Sequence, residues 1–147
     1  MTENQISKII IGAAIEVHIS LGGPGLFEVV YEEALVYELG VKGLKVERQL
    51  EVPILYKGVN LAASLRLDLL VNNLVMIEVE AVTKYHPIFE AQLLTYLRLT
   101  NKSLGLVINF GERFVRAGIH RVVNNLPENL KKLCVLASLR LCVKKLH

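Results

Sequence analysis

The sequence predicts an α+β fold, with a mixed β-sheet flanked by helices. Three observations point there. Apolar residues recur at helical spacing near the start of the chain, at Ile6, Ile9, Ile10, Ala13, Ala14 and Val17. From Leu44 the pattern changes to alternation and to runs rich in Val, Leu and Ile, as strands require. A further helical stretch then leads to Leu104–Asn109, whose nearly continuous apolar character suits a strand buried on both faces.

Each element has its own signal. Residues 4–20 form the first predicted helix, broken by Leu21-Gly22-Gly23-Pro24-Gly25. Residues 27–39 form a second, with Tyr31, Ala34, Leu35 and Glu38 at helical spacing and Gly40 and Gly43 at its exit. Leu44–Tyr56 alternates, and Pro53 within it marks an edge or a bend. Lys57-Gly58 is a turn. Segments 59–71 and 75–82 are strands separated by Asn72-Asn73. Pro87 opens a helix to about Leu99, since proline is tolerated in the first helical turn. Residues 118–123 give a last strand, and Pro127 starts a final helix to Leu146. The expected order is α, α, β, β, β, β, α, β, β, α.

At 147 residues the chain is one ordinary domain. A hydrophobic fraction of 52% with 21% charged residues excludes intrinsic disorder. Charges recur too often for a run of about 18 apolar residues, which argues against a membrane span. No secretory signal is visible at Met1-Thr2-Glu3-Asn4-Gln5. The expectation is a soluble, cytoplasmic protein. Cys134 and Cys142 lie eight apart in one predicted helix, roughly 12 Å along its axis, and do not pair there. No Cys/His cluster has zinc spacing, and the four histidines are scattered.

The net charge of +3 conceals an asymmetry. Residues 1–80 carry 6 basic and 11 acidic groups, whereas residues 112–147 carry 8 and 2. An acidic front that gathers cations, beside a basic back that attracts polyanions, is the sharper reading; a solvated surface with a basic tail is the plainer one.

Chemistry concentrates in two apolar strands that carry isolated charges: Arg66-Leu67-Asp68-Leu69-Leu70-Val71 and Val75-Met76-Ile77-Glu78-Val79-Glu80. A buried carboxylate is costly unless paired or bound to a metal. By strand alternation Glu78 and Glu80 share a face, as do Arg66 and Asp68. A two-residue loop at Asn72-Asn73 would separate Asp68 from Glu78. A three-residue loop, Asn72-Asn73-Leu74, would set Asp68 beside Glu78 and Arg66 beside Glu80. The second register is expected because it gathers the charges. Its oxygen cluster of Asp68, Glu78 and Glu80 is of the kind hard divalent ions prefer. An outward polar face with Arg66 paired to Glu80 is the alternative. Glu28 opens a helix after a Gly-rich turn, where the helix dipole also favours a carboxylate. Gln92 and Tyr96 lie four apart on one helix face.

Together these residues resemble a known family. Gly25-x-x-Glu28-x-x-Tyr31, Arg66-x-Asp68-Leu-Leu-Val, Glu78, Gln92-Leu-Leu-Thr-Tyr96-Leu and Gly105-Leu-Val-Ile-Asn109-Phe110 occur in the order seen in the GxxExxY family, a branch of the PD-(D/E)XK nuclease superfamily. The resemblance covers roughly residues 4–125. It implies a restriction-endonuclease-like fold, so the central mixed sheet is expected to hold four to six strands. It also implies a nuclease-like domain, expected over 1–126. Beyond the resemblance, the apolar stripe Leu130, Leu133, Cys134, Ala137, Leu141 and Cys142 makes 127–147 an apolar and basic helix packed on the domain or on a second subunit as a homodimer contact. Asp68 and Glu78 would be the metal-binding acids, Glu28 a third ligand, and Gln92 and Tyr96 the elements supporting the site and the nucleic-acid strand. The cofactor implied is Mg²⁺ or Mn²⁺, and the reaction is phosphodiester hydrolysis in DNA or RNA.

One position departs from the pattern. The superfamily's E-x-K ends in lysine, and Glu80 stands there. Glu80 could act as general base or further ligand. Lys84, four residues on, could reach in. Alternatively catalysis is lost while nucleic-acid binding remains. Arg66 pairs with Glu80 or contacts a phosphate. Arg113, Arg116, Arg121, Lys131, Lys132, Arg140, Lys144 and Lys145 would supply a polyanion-facing surface without interleaved aromatics, which disfavours a stacking platform.

Overall fold

The computed structural model describes residues 1–125. The helix predicted from Pro127, its cysteines and the homodimer contact lie outside the described residues. Helix α1 runs Glu3–Ser20, and α2 runs Glu28–Val41. Strands β1 (Val46–Tyr56), β2 (Val59–Val71) and β3 (Val75–Glu80) follow. Then come α3 (Ile88–Thr100), β4 (Leu104–Asn109), a 3₁₀ turn (Val115–Gly118) and β5 (Ile119–Val123). Three strands rather than four precede α3, because β1 passes through Pro53 unbroken. Pro53 still pairs with Ser64, and the register shifts between it and Leu55. As an edge strand, β1 can accommodate the missing N–H.

Local chemistry sets the element ends. At the start of α1, Thr2 Oγ1 accepts from the Gln5 N–H at 3.2 Å, and Gln5 Oε1 accepts from the Thr2 N–H at 2.9 Å. This reciprocal pair satisfies two otherwise orphaned donors. Asn101, at φ 56°, ends α3 in the left-handed conformation that asparagine tolerates. Lys57 and Gly58, at φ 50° and 79°, make the tight β1–β2 hairpin turn.

The sheet order is β1-β2-β3-β4-β5. β3 and β4 are parallel and joined through α3; every other neighbouring pair is antiparallel. Val75, Ile77 and Val79 of β3 enter one core cluster with α1 and α2. Met76 faces the other cluster, formed with Leu93, Tyr96 and Leu97 of α3. The fold is thus a five-stranded mixed sheet between a helix pair and a single helix, an α+β architecture. Gly105 lets α3 approach closely: a Cβ there would lie 2.8 Å from Leu93 Cδ2.

Candidate active site at the fork of two strands

The β2–β3 loop holds Asn72, Asn73 and Leu74, with Val71 opposite Val75 and Leu69 opposite Ile77. Asn72 and Asn73, at φ 50° and 57°, supply the left-handed backbone of this loop. The register therefore brings Asp68 beside Glu78. Backbone pairing stops at Leu69 and Ile77, where side chains take over the ladder. Asp68 Oδ2 accepts from the Val79 N–H at 2.8 Å, and Glu78 Oε1 accepts from the Asp68 N–H at 3.2 Å. Two carboxylates thus occupy places that carbonyls would fill, and the strands fork.

Because the strands part there, Arg66 does not come beside Glu80. It lies opposite Glu51 of β1, exposed, and makes no ion pair among the described residues. The expected Arg66–Glu80 pairing is corrected accordingly. Glu80 instead interacts with Glu28, which stands at the first position of α2.

The loop ahead of α2 explains that placement. Gly25, at φ 118°, takes a backbone conformation that side chains strain against. Tyr31 then clamps the loop: its hydroxyl donates to the Gly23 carbonyl at 2.7 Å and accepts from the Leu26 N–H at 3.2 Å. The Tyr31 ring stacks on Phe110, centroids 4.6 Å apart and 6° from parallel. His18 Nε2 donates to the Phe110 carbonyl at 3.1 Å. On the strand side, Asn109 holds the chain leaving Glu80. Its Oδ1 accepts from the Val82 N–H, and its Nδ2 donates to the Val82 carbonyl, both at 3.0 Å.

Crowding leaves its mark on the acids. Burial, then the Asp68 charge, pushes Glu78 up to about 9. Burial and the neighbouring Glu28 push Glu80 up to about 8. Asp68 is raised by burial and by Glu32, against the opposing pull of its bonds from the Val79 N–H and Gln49. Tyr96 is buried, and its phenol is raised by burial and by the charges of Glu78 and Asp68, so it borders the same site. Gln92, one turn earlier, is exposed, and its side chain makes no hydrogen bond among the described residues. Lys84 lies beyond the end of β3 in a bend, exposed, and pairs with none of these acids.

Sequence reasoning missed three residues. Glu32 is buried one turn after Glu28, and its position among Tyr31, Leu35 and Leu39 on the covered face of α2 was the available signal. Gln49, unpaired in the β1–β2 ladder between Arg48↔Leu69 and Leu50↔Leu67, reaches Glu32 Oε1 and Oε2 at 3.0 and 3.2 Å and Asp68 Oδ1 at 3.3 Å. Arg48 Nε donates to Glu32 Oε1 at 3.4 Å.

A five-stranded mixed sheet whose middle strands fork around paired acids is an α+β domain consistent with a restriction-endonuclease-like fold. The sequence profile described as the PD-(D/E)XK nuclease superfamily matches residues 4–122, and the chain belongs to that superfamily. No curated protein and no solved structure matches.

An all-carboxylate donor set suits a hard divalent ion, and nuclease domains of this superfamily generally use one. The raised acids show negative charge that burial and like neighbours penalise, which a cation would relieve. As placed, no three His, Cys, Asp or Glu side chains among the described residues form a ready-made metal group. The fit therefore lies in the donor chemistry, and an ion would have to draw the carboxylates together.

Proposed function

We propose that this protein is a Mg²⁺- or Mn²⁺-dependent nuclease of the GxxExxY branch, hydrolysing phosphodiester bonds in DNA or RNA. The observation that carries this reading is the strand fork, where Asp68 and Glu78 replace ladder hydrogen bonds with carboxylate contacts. Glu28, Asp68 and Glu78 would hold the ion. When bound, the ion neutralises phosphate charge and makes water more acidic. Glu80 accepts the proton of the attacking water, which requires a carboxylate oxygen within about 3 Å of it. The water oxygen bonds to phosphorus as the P–O bond to the leaving oxygen breaks, and that oxygen, departing with the electron pair, takes a proton from solvent. Tyr96 borders the site from α3, and Gln92 and Lys84 face the strand outside it.

Glu80 itself favours a second reading. A glutamate stands where the superfamily has its lysine, so the fold could bind nucleic acid, or a protein partner, without cleaving it. One assay separates the two. Purified protein is incubated with labelled single- and double-stranded DNA and RNA in Mg²⁺ or Mn²⁺, then with EDTA. The nuclease reading expects ion-dependent cleavage that Asp68→Ala and Glu78→Ala each abolish. Salt-sensitive binding without cleavage supports the second reading. Cleavage that survives both substitutions arises elsewhere and removes the case for this site.

A further inference from the structure

We propose that Arg48 is the phosphate-binding cation of this site, aimed by Glu32 and Gln49. This rests on the nuclease reading and names a substrate contact within it. In a regular strand, consecutive side chains point to opposite faces. Gln49 has φ 52°, a left-handed conformation uncommon for a residue other than glycine. The alternation breaks there, and two successive side chains converge on one atom. Arg48 Nε reaches Glu32 Oε1 at 3.4 Å, and Gln49 Nε2 reaches the same oxygen at 3.0 Å. Gln49 Nε2 then continues to Asp68 Oδ1 at 3.3 Å. One amide therefore ties the guanidinium's partner to the candidate metal-binding aspartate.

The site is lined by carboxyl groups, Glu28, Glu32, Asp68, Glu78 and Glu80, none of which attracts a phosphodiester, and position 80 supplies no positive group. Among the described residues, Arg48 is the cation ion-paired within this network; Arg66 and Lys84 make no ion pair with it. The Glu32 side chain is 8% exposed and that of Arg48 is 39% exposed, so the carboxylate is anchored inside while the guanidinium reaches solvent. Only Nε is engaged with Glu32, which leaves the two terminal NH₂ groups for a phosphate, and their planar fork matches phosphate oxygens.

The test uses the full chain and fluorescein-labelled DNA and RNA oligonucleotides. Affinity is read by anisotropy over a salt series in EDTA, and Mn²⁺ affinity by calorimetry. Arg48→Met should weaken oligonucleotide binding about tenfold and lower the salt slope by about one phosphate contact. Arg48→Lys should keep that slope, and Arg48→Gln provides a second neutral side chain should the Met variant not fold. Mn²⁺ binding should be as tight as in the wild type or tighter, because Arg48 is not a ligand. Folded neutral variants with unchanged affinity and slope overturn the proposal, as does a wild-type chain that binds no oligonucleotide. If the wild type cleaves while the neutral variants bind and cleave as it does, Arg48 is dismissed and the nuclease reading stands. If the wild type cleaves nothing but the slope still falls in the variants, the nuclease reading fails and Arg48 remains a phosphate contact.

Discussion

At Gln49 two effects of similar size oppose each other. A non-glycine residue at φ 52° carries backbone strain of about 1–3 kcal/mol. Its amide separates two carboxylates, Glu32 and Asp68, that would otherwise face each other unscreened. Hydrogen bonds to charged groups contribute about 1.5–3 kcal/mol, so amide and strain nearly offset. Gln49→Ala keeps the strain and loses the amide, and should destabilise the fold by roughly 1–3 kcal/mol. Gln49→Gly loses the amide but relieves the strain, and should fall closer to the wild type. Urea denaturation of the two variants checks this; a glycine variant less stable than the alanine variant would show that backbone strain is not what Gln49 carries. None of this was legible in the sequence. Gln49 is one polar residue in an alternating strand, and nothing in that alternation reports a left-handed φ.

Helix α2 shows how an element sets a site. Its first turn presents Glu28, and its orientation there depends on Tyr31, whose hydroxyl holds Gly23 and Leu26 while its ring stacks on Phe110. Tyr31→Phe keeps the stack and removes both hydrogen bonds. The expected loss is about 1 kcal/mol of stability. Weaker Mn²⁺ affinity by calorimetry should accompany it, because the loop that aims Glu28 is loosened. An unchanged Mn²⁺ affinity would mean that Glu28 is positioned without the loop, or does not serve the ion. At this scale the sequence was informative. Helical and strand periodicities located the elements to within a few residues; the Asn72-Asn73 pair allowed two registers, and it was the gathering of isolated charges that selected the three-residue loop setting Asp68 beside Glu78. Two features escaped it. The strand count before α3 was one too high, because a long edge strand absorbs Pro53 without ending. The Arg66–Glu80 pair assumed a ladder continuing past Leu69, whereas the carboxylates themselves end that ladder.

For the molecule as a whole, the acid cluster links folding to pH and to ions. No helix among the described residues is long and apolar enough to cross a membrane. In the fold Glu78 titrates at about 9 and Glu80 at about 8, against an ordinary 4.5 for each. Between those limits the folded chain holds protons that the unfolded chain has released. Folding is thus linked to proton uptake, and its contribution is fully present below about 4.5 and lost as pH rises through 8 and 9. Without added ions the melting temperature should therefore decline from about pH 5 to pH 9, with the acids titrating as a coupled set. A divalent ion competes with these protons for the same oxygens. The rise in melting temperature on adding Mn²⁺ should accordingly be small at pH 5 and larger at pH 8. Glu78→Gln stays neutral at every pH, so it should flatten the ion-free decline and shrink the Mn²⁺ response together. Differential scanning fluorimetry over this range checks both arms. A wild-type melting temperature that climbs toward pH 9, or a Glu78→Gln chain with the wild-type slope, would mean that the fork acids are not strained by their own charge, and the case for a cation there would lose its driving force.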